Sequence, residues 1–212
     1  IYSLESRREL ESRALATQIA SSHAQSIEKQ LSRSLSTTLA LATILKENSS
    51  LPNFDSVAAD LIKRYGGISN LQLAPNAIIR KIFPLKGNEP AIGLDLKKNP
   101  KAVAAIEAKQ LVVEGPFNLI QGGVAIVGRY PLFLQNEKTG EKSFWGFTTA
   151  LIELSELLAI VDIHGLVSKN YHFELSNAVI KKDKQIIIAQ SGGVTIESPV
   201  SVEIQVANEK WL

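Results

Sequence analysis

Hydrophobic and polar positions follow three successive patterns along the chain. From Leu4 to Leu45 there is no Pro and no Gly, and Ala, Leu, Gln, Glu, Lys, Arg and Ser dominate, which predicts one long helix. At about 1.5 Å per residue such a helix reaches roughly 60 Å, more than a small domain is wide. Leu10, Thr17, Ala24, Leu31, Thr38 and Leu45 recur every seven residues, with Ala14, Ser21, Leu35 and Ala42 interleaved. The stripe is rich in small residues and is interrupted by Glu28, so it does not predict an autonomous coiled coil. The more apolar half, Ile27 to Leu45, is expected to pack on its own domain. The half from Leu4 to Ala24 is expected to pair with a second copy and to project toward a membrane.

Asn48-Ser49-Ser50 and Pro52 end this helix, and a shorter one follows from about Asp55, read as its cap, to Tyr65, with Val57, Ala58, Leu61 and Ile62 at helical spacing. Gly66-Gly67 stops it. Short strands are predicted at Leu71–Ala74 and Ala77–Phe83 around the turn Pro75-Asn76. Asn99-Pro100 is a helix start, cap then proline, and the helix runs to about Lys109 with Ala102, Val103 and Ile106 inward and Glu107 solvated. Strands are then expected at Leu111–Val113, Asn118–Ile120, Val124–Leu134 and Ser143–Leu151, and a closing helix from Glu153 to Val161. This part reads as a mixed sheet with helices beside it, an α+β domain.

After His164-Gly165 the pattern changes to short strands at Tyr171–Leu175, Ala178–Lys182, Gln185–Ala189 and Val200–Val206. They predict a small antiparallel sheet that is too slight to stand alone and leans on the long helix. The expected division is a stalk and dimerisation helix over 1–48, a sensing domain over 49–165 and a smaller subdomain over 166–212.

Composition narrows the function. The formal charge is +2 and the basic residues are dispersed among acidic ones, which argues against nucleic acid as a partner. No run of eighteen apolar residues occurs, so no transmembrane span is expected within the chain, and no signal peptide is read. The chain starts at Ile1 without Met and is read as an excised fragment. Cysteine is absent, which excludes disulfides and Cys-based zinc or nucleophile chemistry and is compatible with the periplasm. His23, His164 and His172 lie in unrelated segments, and no metal or cofactor site is expected. The Gly-Gly pairs lack a following Lys-Ser or Lys-Thr, no nucleophile elbow is present, and no enzyme activity is expected of this chain.

One stretch fits a pocket for a small polar ligand. Asp95, flanked by Leu94 and Leu96 between Gly93 and the Asn99 helix, would hold a carboxylate in partly apolar surroundings, where it needs a partner. Equally it is an ordinary cap or surface aspartate. Strand alternation sends Arg129 and Tyr130 to opposite faces unless a bulge intervenes, so only one of them lines a pocket. Phe117 and Trp145 are core residues or the aromatic wall of that pocket.

The ordered set Leu73-Ala74-Pro75-Asn76, Arg80-Lys81-Ile82-Phe83-Pro84, Gly93-Leu94-Asp95, Gly115-Pro116-Phe117, Arg129-Tyr130-Pro131 and Trp145-Gly146-Phe147 resembles the CHASE domain, the extracytoplasmic sensor of plant cytokinin receptors and of many bacterial transmembrane receptors. The resemblance implies a stalk helix, a membrane-distal PAS-like domain that binds the ligand and a smaller membrane-proximal PAS-like sheet. It further implies flanking transmembrane helices, a homodimer, a periplasmic or extracytoplasmic location on an inner-membrane protein, and a cytoplasmic diguanylate cyclase, phosphodiesterase or histidine kinase. By the same resemblance Asp95 takes the place of the purine-binding aspartate, and Gln121, Tyr130 and Gly146 match other pocket positions. The sequence departs at Gln121 to Val124 and carries Arg129 where the plant proteins are uncharged, which admits an anionic or zwitterionic small molecule. The alternative, from another class, is a protein-interaction or dimerisation module without a small ligand.

Overall fold

The computed structural model describes residues 4–119, 122–136, 138–178 and 185–212. The chain divides into two compact units, Leu31–Leu157 and Ile1–Gln30 with Leu158–Leu212. Helix α1 (Leu4–Glu47) contributes to both.

In the Leu31–Leu157 unit α1 is followed by α2 (Phe54–Tyr65), strands β1 (Asn70–Pro75) and β2 (Lys81–Phe83), helix α3 (Pro100–Ala108), and strands β3 (Val112–Asn118), β4 (Val124–Gln135) and β5 (Lys142–Glu153). The strands form one antiparallel sheet in the order β2-β1-β5-β4-β3. Asp55 does not cap α2: the helix opens one residue earlier at Phe54, and the preceding Asn53 makes no side-chain cap bond. Asn99 does cap α3, its Oδ1 accepting from the Lys101 backbone N–H at 2.9 Å. Of the Ala77–Phe83 stretch only Lys81–Phe83 is strand, because Asn76 and Ala77 take left-handed φ angles of 53° and 65° and use up its start in a tight turn. The two short strands expected around Gly115-Pro116 are one strand, β3, with its register shifted between Glu114 and Phe117. Ile120 lies outside the described residues.

Alternation gives the sheet two different faces. Leu71, Leu73, Leu132 and Ala150 form one core with Leu41, Ala42 and Leu45 of α1 and Phe54 and Ala58 of α2. Each of these larger side chains contributes about 1.5–3 kcal/mol by leaving water. Gly128 lets α1 approach: a Cβ there would stand 2.2 Å from Leu35 Cδ2. Thr148 Oγ1 donates to the Thr38 carbonyl of α1 at 2.8 Å, so a buried hydroxyl is satisfied on this side. On the opposite face Ala74, Ile82 and Phe147 pack with Ile79 and Leu96 and with Ala102 and Ala105 of α3. Next along that face, directly paired across three strands, come Gln72, Thr149 and Arg129.

The second unit holds the first part of α1, helix α5 (Gly165–Ser168) and four short strands, β6 (Glu174–Ser176), β7 (Ile187–Gln190), β8 (Ile204–Val206) and β9 (Glu209–Trp211). Between the two units in sequence, α4 (Leu154–Ile160) carries the buried Leu154, Leu157 and Leu158. The ladders β6–β7 and β8–β9 are joined by the Asn177–Trp211 bridge and by reciprocal backbone bonds between Ser176 and Leu212 at 2.8 and 2.9 Å. Strand β9 was not expected; its Trp211 is buried and anchors the end of the chain. Of the stretch read as Val200–Val206, only Ile204–Val206 is strand, and most of Ala178–Lys182 lies outside the described residues. On α1, Ala24 and Ile27 are buried in this unit whereas Leu4, Leu10 and Leu15 are exposed.

Candidate ligand-binding site

The sheet face that carries α3 changes from hydrocarbon to polar groups over one strand pair. β4 supplies Arg129 and β3 supplies Glu114, whose side chains are 12% and 11% exposed and form an ion pair. A lone buried charge would be costly, so the two define each other's position. Asn99, at the head of α3, completes the cluster: its Nδ2 donates to both Glu114 oxygens at 2.9 Å. A single asparagine therefore ties the start of α3, through its Oδ1, and the acid of β3, through its amide nitrogen.

Two atoms of this face are left over. Arg129 Nε and Thr149 Oγ1 are buried and have no hydrogen-bond partner. Arg129 and Thr149 are directly opposite on β4 and β5, so their side chains rise side by side. Buried polar groups are nearly always satisfied, and an orphaned donor costs about 1–3 kcal/mol. Beyond Thr149, Gln72 Nε2 donates to Asn70 Oδ1 at 2.9 Å and Asn70 Nδ2 to Asn88 Oδ1 at 3.1 Å, a chain of neutral amides leading from β1 to the loop that carries Asn88. Burial lowers the Arg129 pKa from its ordinary value, and the charge and hydrogen bond of Glu114 oppose the shift. Guanidinium remains cationic throughout the physiological range.

The residues singled out in the sequence do not all meet here. Arg129 lies at the centre of the face. Phe117 shares it, half-buried against Ala125, Val127 and Leu151. Tyr130 and Trp145 pack instead against the cluster formed with α1 and α2. Gly146 is a close-approach position, where a Cβ would fall 2.1 Å from the Ala74 carbonyl oxygen and the φ of 153° disfavours any other residue. Gln121 lies outside the described residues. Asp95 is half-buried and accepts the Lys97 backbone N–H at 2.9 Å, capping the 3-10 turn Leu96–Lys98. That is the capping role, and the acid buried in the sheet face is Glu114. Sequence reading passed over Glu114 because Gly115-Pro116 beside it looked like a strand end, and Thr149 because it sits in an apolar run. The available signal was alternation, which puts Glu114 on the same face of β3 as Val112 and opposite Val113.

Among the described residues no group of His, Cys, Asp and Glu could hold a metal ion. No helix among them is long and apolar enough to cross a membrane. The Ile1–Gln30/Leu158–Leu212 unit contains a cavity of about 980 Å³ between Ala20, His23 and Ile27 of α1 and Tyr171, Phe173 and Ile204.

The profile of the CHASE domain matches residues 4–187. The chain belongs to the CHASE domain family. Solved structures share the fold of this CHASE domain at low identity. An extracellular ligand-binding receptor from Desulfohalobium retbaense DSM5692 superposes with a TM-score of 0.64 at 13% identity, over 93% of this chain and 39% of that one, so the CHASE chain spans about two fifths of its length. The ligand-binding domain of Mlp24 with asparagine gives 0.59 at 18% identity, over 97% and 92% of the two chains. The ligand-binding domain of the Pseudomonas aeruginosa PAO1 amino acid chemoreceptor PctC, in complex with GABA, gives 0.58 at 18% identity, over 79% and 74%. No curated protein sequence matches the chain significantly.

Proposed function

We propose that this CHASE domain is the extracytoplasmic, small-molecule-sensing part of a membrane-bound receptor, and that its ligand docks on the sheet face carrying Arg129, Thr149 and Glu114. The observation that supports this most strongly is the adjacent pair of buried, unpartnered atoms, Arg129 Nε and Thr149 Oγ1. A guest with an acceptor such as a carboxylate oxygen satisfies both, so binding removes a cost that the empty domain carries. The fold likeness to receptor domains solved with asparagine and with GABA is in keeping with a ligand of that size.

Asn99 supplies the route by which binding is felt. It holds the start of α3 to Glu114, so a ligand that alters the hydrogen bonding of Glu114 acts on α3 as well. For a signal to result, the ligand must bind one arrangement of the receptor better than another. In the whole receptor, the first turns of α1, where Leu4, Leu10 and Leu15 are exposed, make the contact with a second copy, transmembrane helices flank the domain, and the output is a cytoplasmic diguanylate cyclase, phosphodiesterase or histidine kinase.

The test is thermal denaturation of the 212-residue chain against a panel of amino acids, short carboxylates and nucleobases. The expected result is that at least one compound raises Tm and that Thr149→Val diminishes the rise at the same ligand concentration. A rise that is undiminished in Thr149→Val but lost in Asp95→Ala would move the site to the 3-10 turn capped by Asp95 and sink this placement.

A further inference from the structure

The charges at the site point beyond a generic polar ligand. Arg129 and Glu114 are both buried and cancel each other, and their immediate polar neighbours Asn70, Gln72, Asn99 and Thr149 are neutral. A guest with one carboxylate and no cation would therefore add an uncompensated negative charge to a desolvated face, which is costly. Glu114 also has acceptor capacity to spare. A carboxylate offers about four lone-pair sites; Oε2 accepts from Asn99 and Arg129, whereas Oε1 accepts from Asn99 alone. The unmet needs of the site are thus of two kinds, an acceptor for Arg129 Nε and Thr149 Oγ1, and a donor for Glu114 Oε1.

We infer that Glu114 makes this site a charge filter for zwitterions: small molecules that offer a carboxylate to Arg129 Nε and Thr149 Oγ1 and an ammonium to Glu114 Oε1. The inference rests on the site proposed above and deepens it. Such a ligand is neutral overall, so site and guest together carry no net charge. Each end replaces a missing hydrogen bond by a charge-assisted one. Plain carboxylates of the same shape are rejected because nothing offsets their charge, and dicarboxylates more strongly still.

Matched pairs that differ only in the ammonium test this. The twenty amino acids and GABA are titrated into the 212-residue chain by calorimetry, and each one that binds is compared with its des-amino analogue, butyrate for GABA and succinamate for asparagine. The ammonium is expected to tighten binding at least about tenfold, as a charge-assisted hydrogen bond does. Glu114→Gln, which retains an acceptor for Asn99 and Arg129, is expected to narrow that ratio to within about threefold by weakening the zwitterion and admitting the carboxylate. The wild-type ratio needs no variant to fold. Butyrate or succinamate binding as tightly as its partner overturns the filter, as does an unchanged ratio in Glu114→Gln, or a panel in which no zwitterion binds. Binding of adenine with no zwitterion overturns the filter while leaving the sensing site standing. Failure of the site itself reads differently, as a bound compound indifferent to Thr149→Val.

Discussion

Arg129 and Thr149 face each other across β4 and β5, and each keeps one buried polar atom without a partner. Two neighbouring orphans on one sheet face are a local excess of cost. The same sheet satisfies Thr148 on its other face through the Thr38 carbonyl, so the difference lies in what each face packs against.

Thr149→Val removes one orphan without changing the shape of the side chain. The ligand-free domain is expected to gain about 1 kcal/mol, since an unpaired hydroxyl is replaced by hydrocarbon. Affinity for the ligand is expected to fall by about tenfold. Denaturant titration with and without the ligand measures both changes, which have opposite signs.

Arg129→Met leaves Glu114 buried with only Asn99 to bond, and a cost of about 3–5 kcal/mol is expected. Pairing it with Glu114→Gln removes the stranded charge, so the double variant is expected to be more stable than Arg129→Met alone. A double-mutant cycle from urea midpoints reports the coupling; simple additivity of the two single variants would mean that the ion pair does not organise this face.

Asp95→Ala loses one bond to the Lys97 backbone N–H in a 3-10 turn. A loss of about 1 kcal/mol is expected, as for other caps, with ligand affinity unchanged. The comparison with Thr149→Val decides which of the two positions the ligand touches.

Gly146→Ala and Gly128→Ala separate backbone from side-chain conflict. At Gly146 the new methyl meets the Ala74 carbonyl oxygen and the Pro75 Cα, which cannot yield without breaking the β1–β5 pairing. At Gly128 the obstacle is Leu35 Cδ2, the end of a side chain. Both are expected to lower Tm, and only Gly128→Ala is expected to be partly rescued by Leu35→Ala, since that change empties the space the methyl enters.

Much of the fold was written in local pattern. The Pro- and Gly-free run gave α1, Asn99-Pro100 gave the start of α3, and period-two alternation put Arg129 and Tyr130 on opposite faces. What local pattern could not give was partnership. Glu114 and Arg129 are fifteen residues apart in sequence and meet only because β3 and β4 pair in one register. Thr149 is indistinguishable from Thr148 until the sheet assigns one to α1 and the other to the polar face. Asp95 drew attention by its apolar flanks, yet a nearby backbone N–H satisfied it, and such short-range capping competes well with any distant role.

The most direct measurement is the NMR signal of the Arg129 Nε–H group, assigned by its disappearance in Arg129→Lys. On addition of whichever panel compound raises Tm, the proton is expected to shift downfield and to exchange more slowly with water, as it gains a charged acceptor. A compound that binds and stabilises the domain while leaving this signal unmoved would contradict the placement of the ligand on this face.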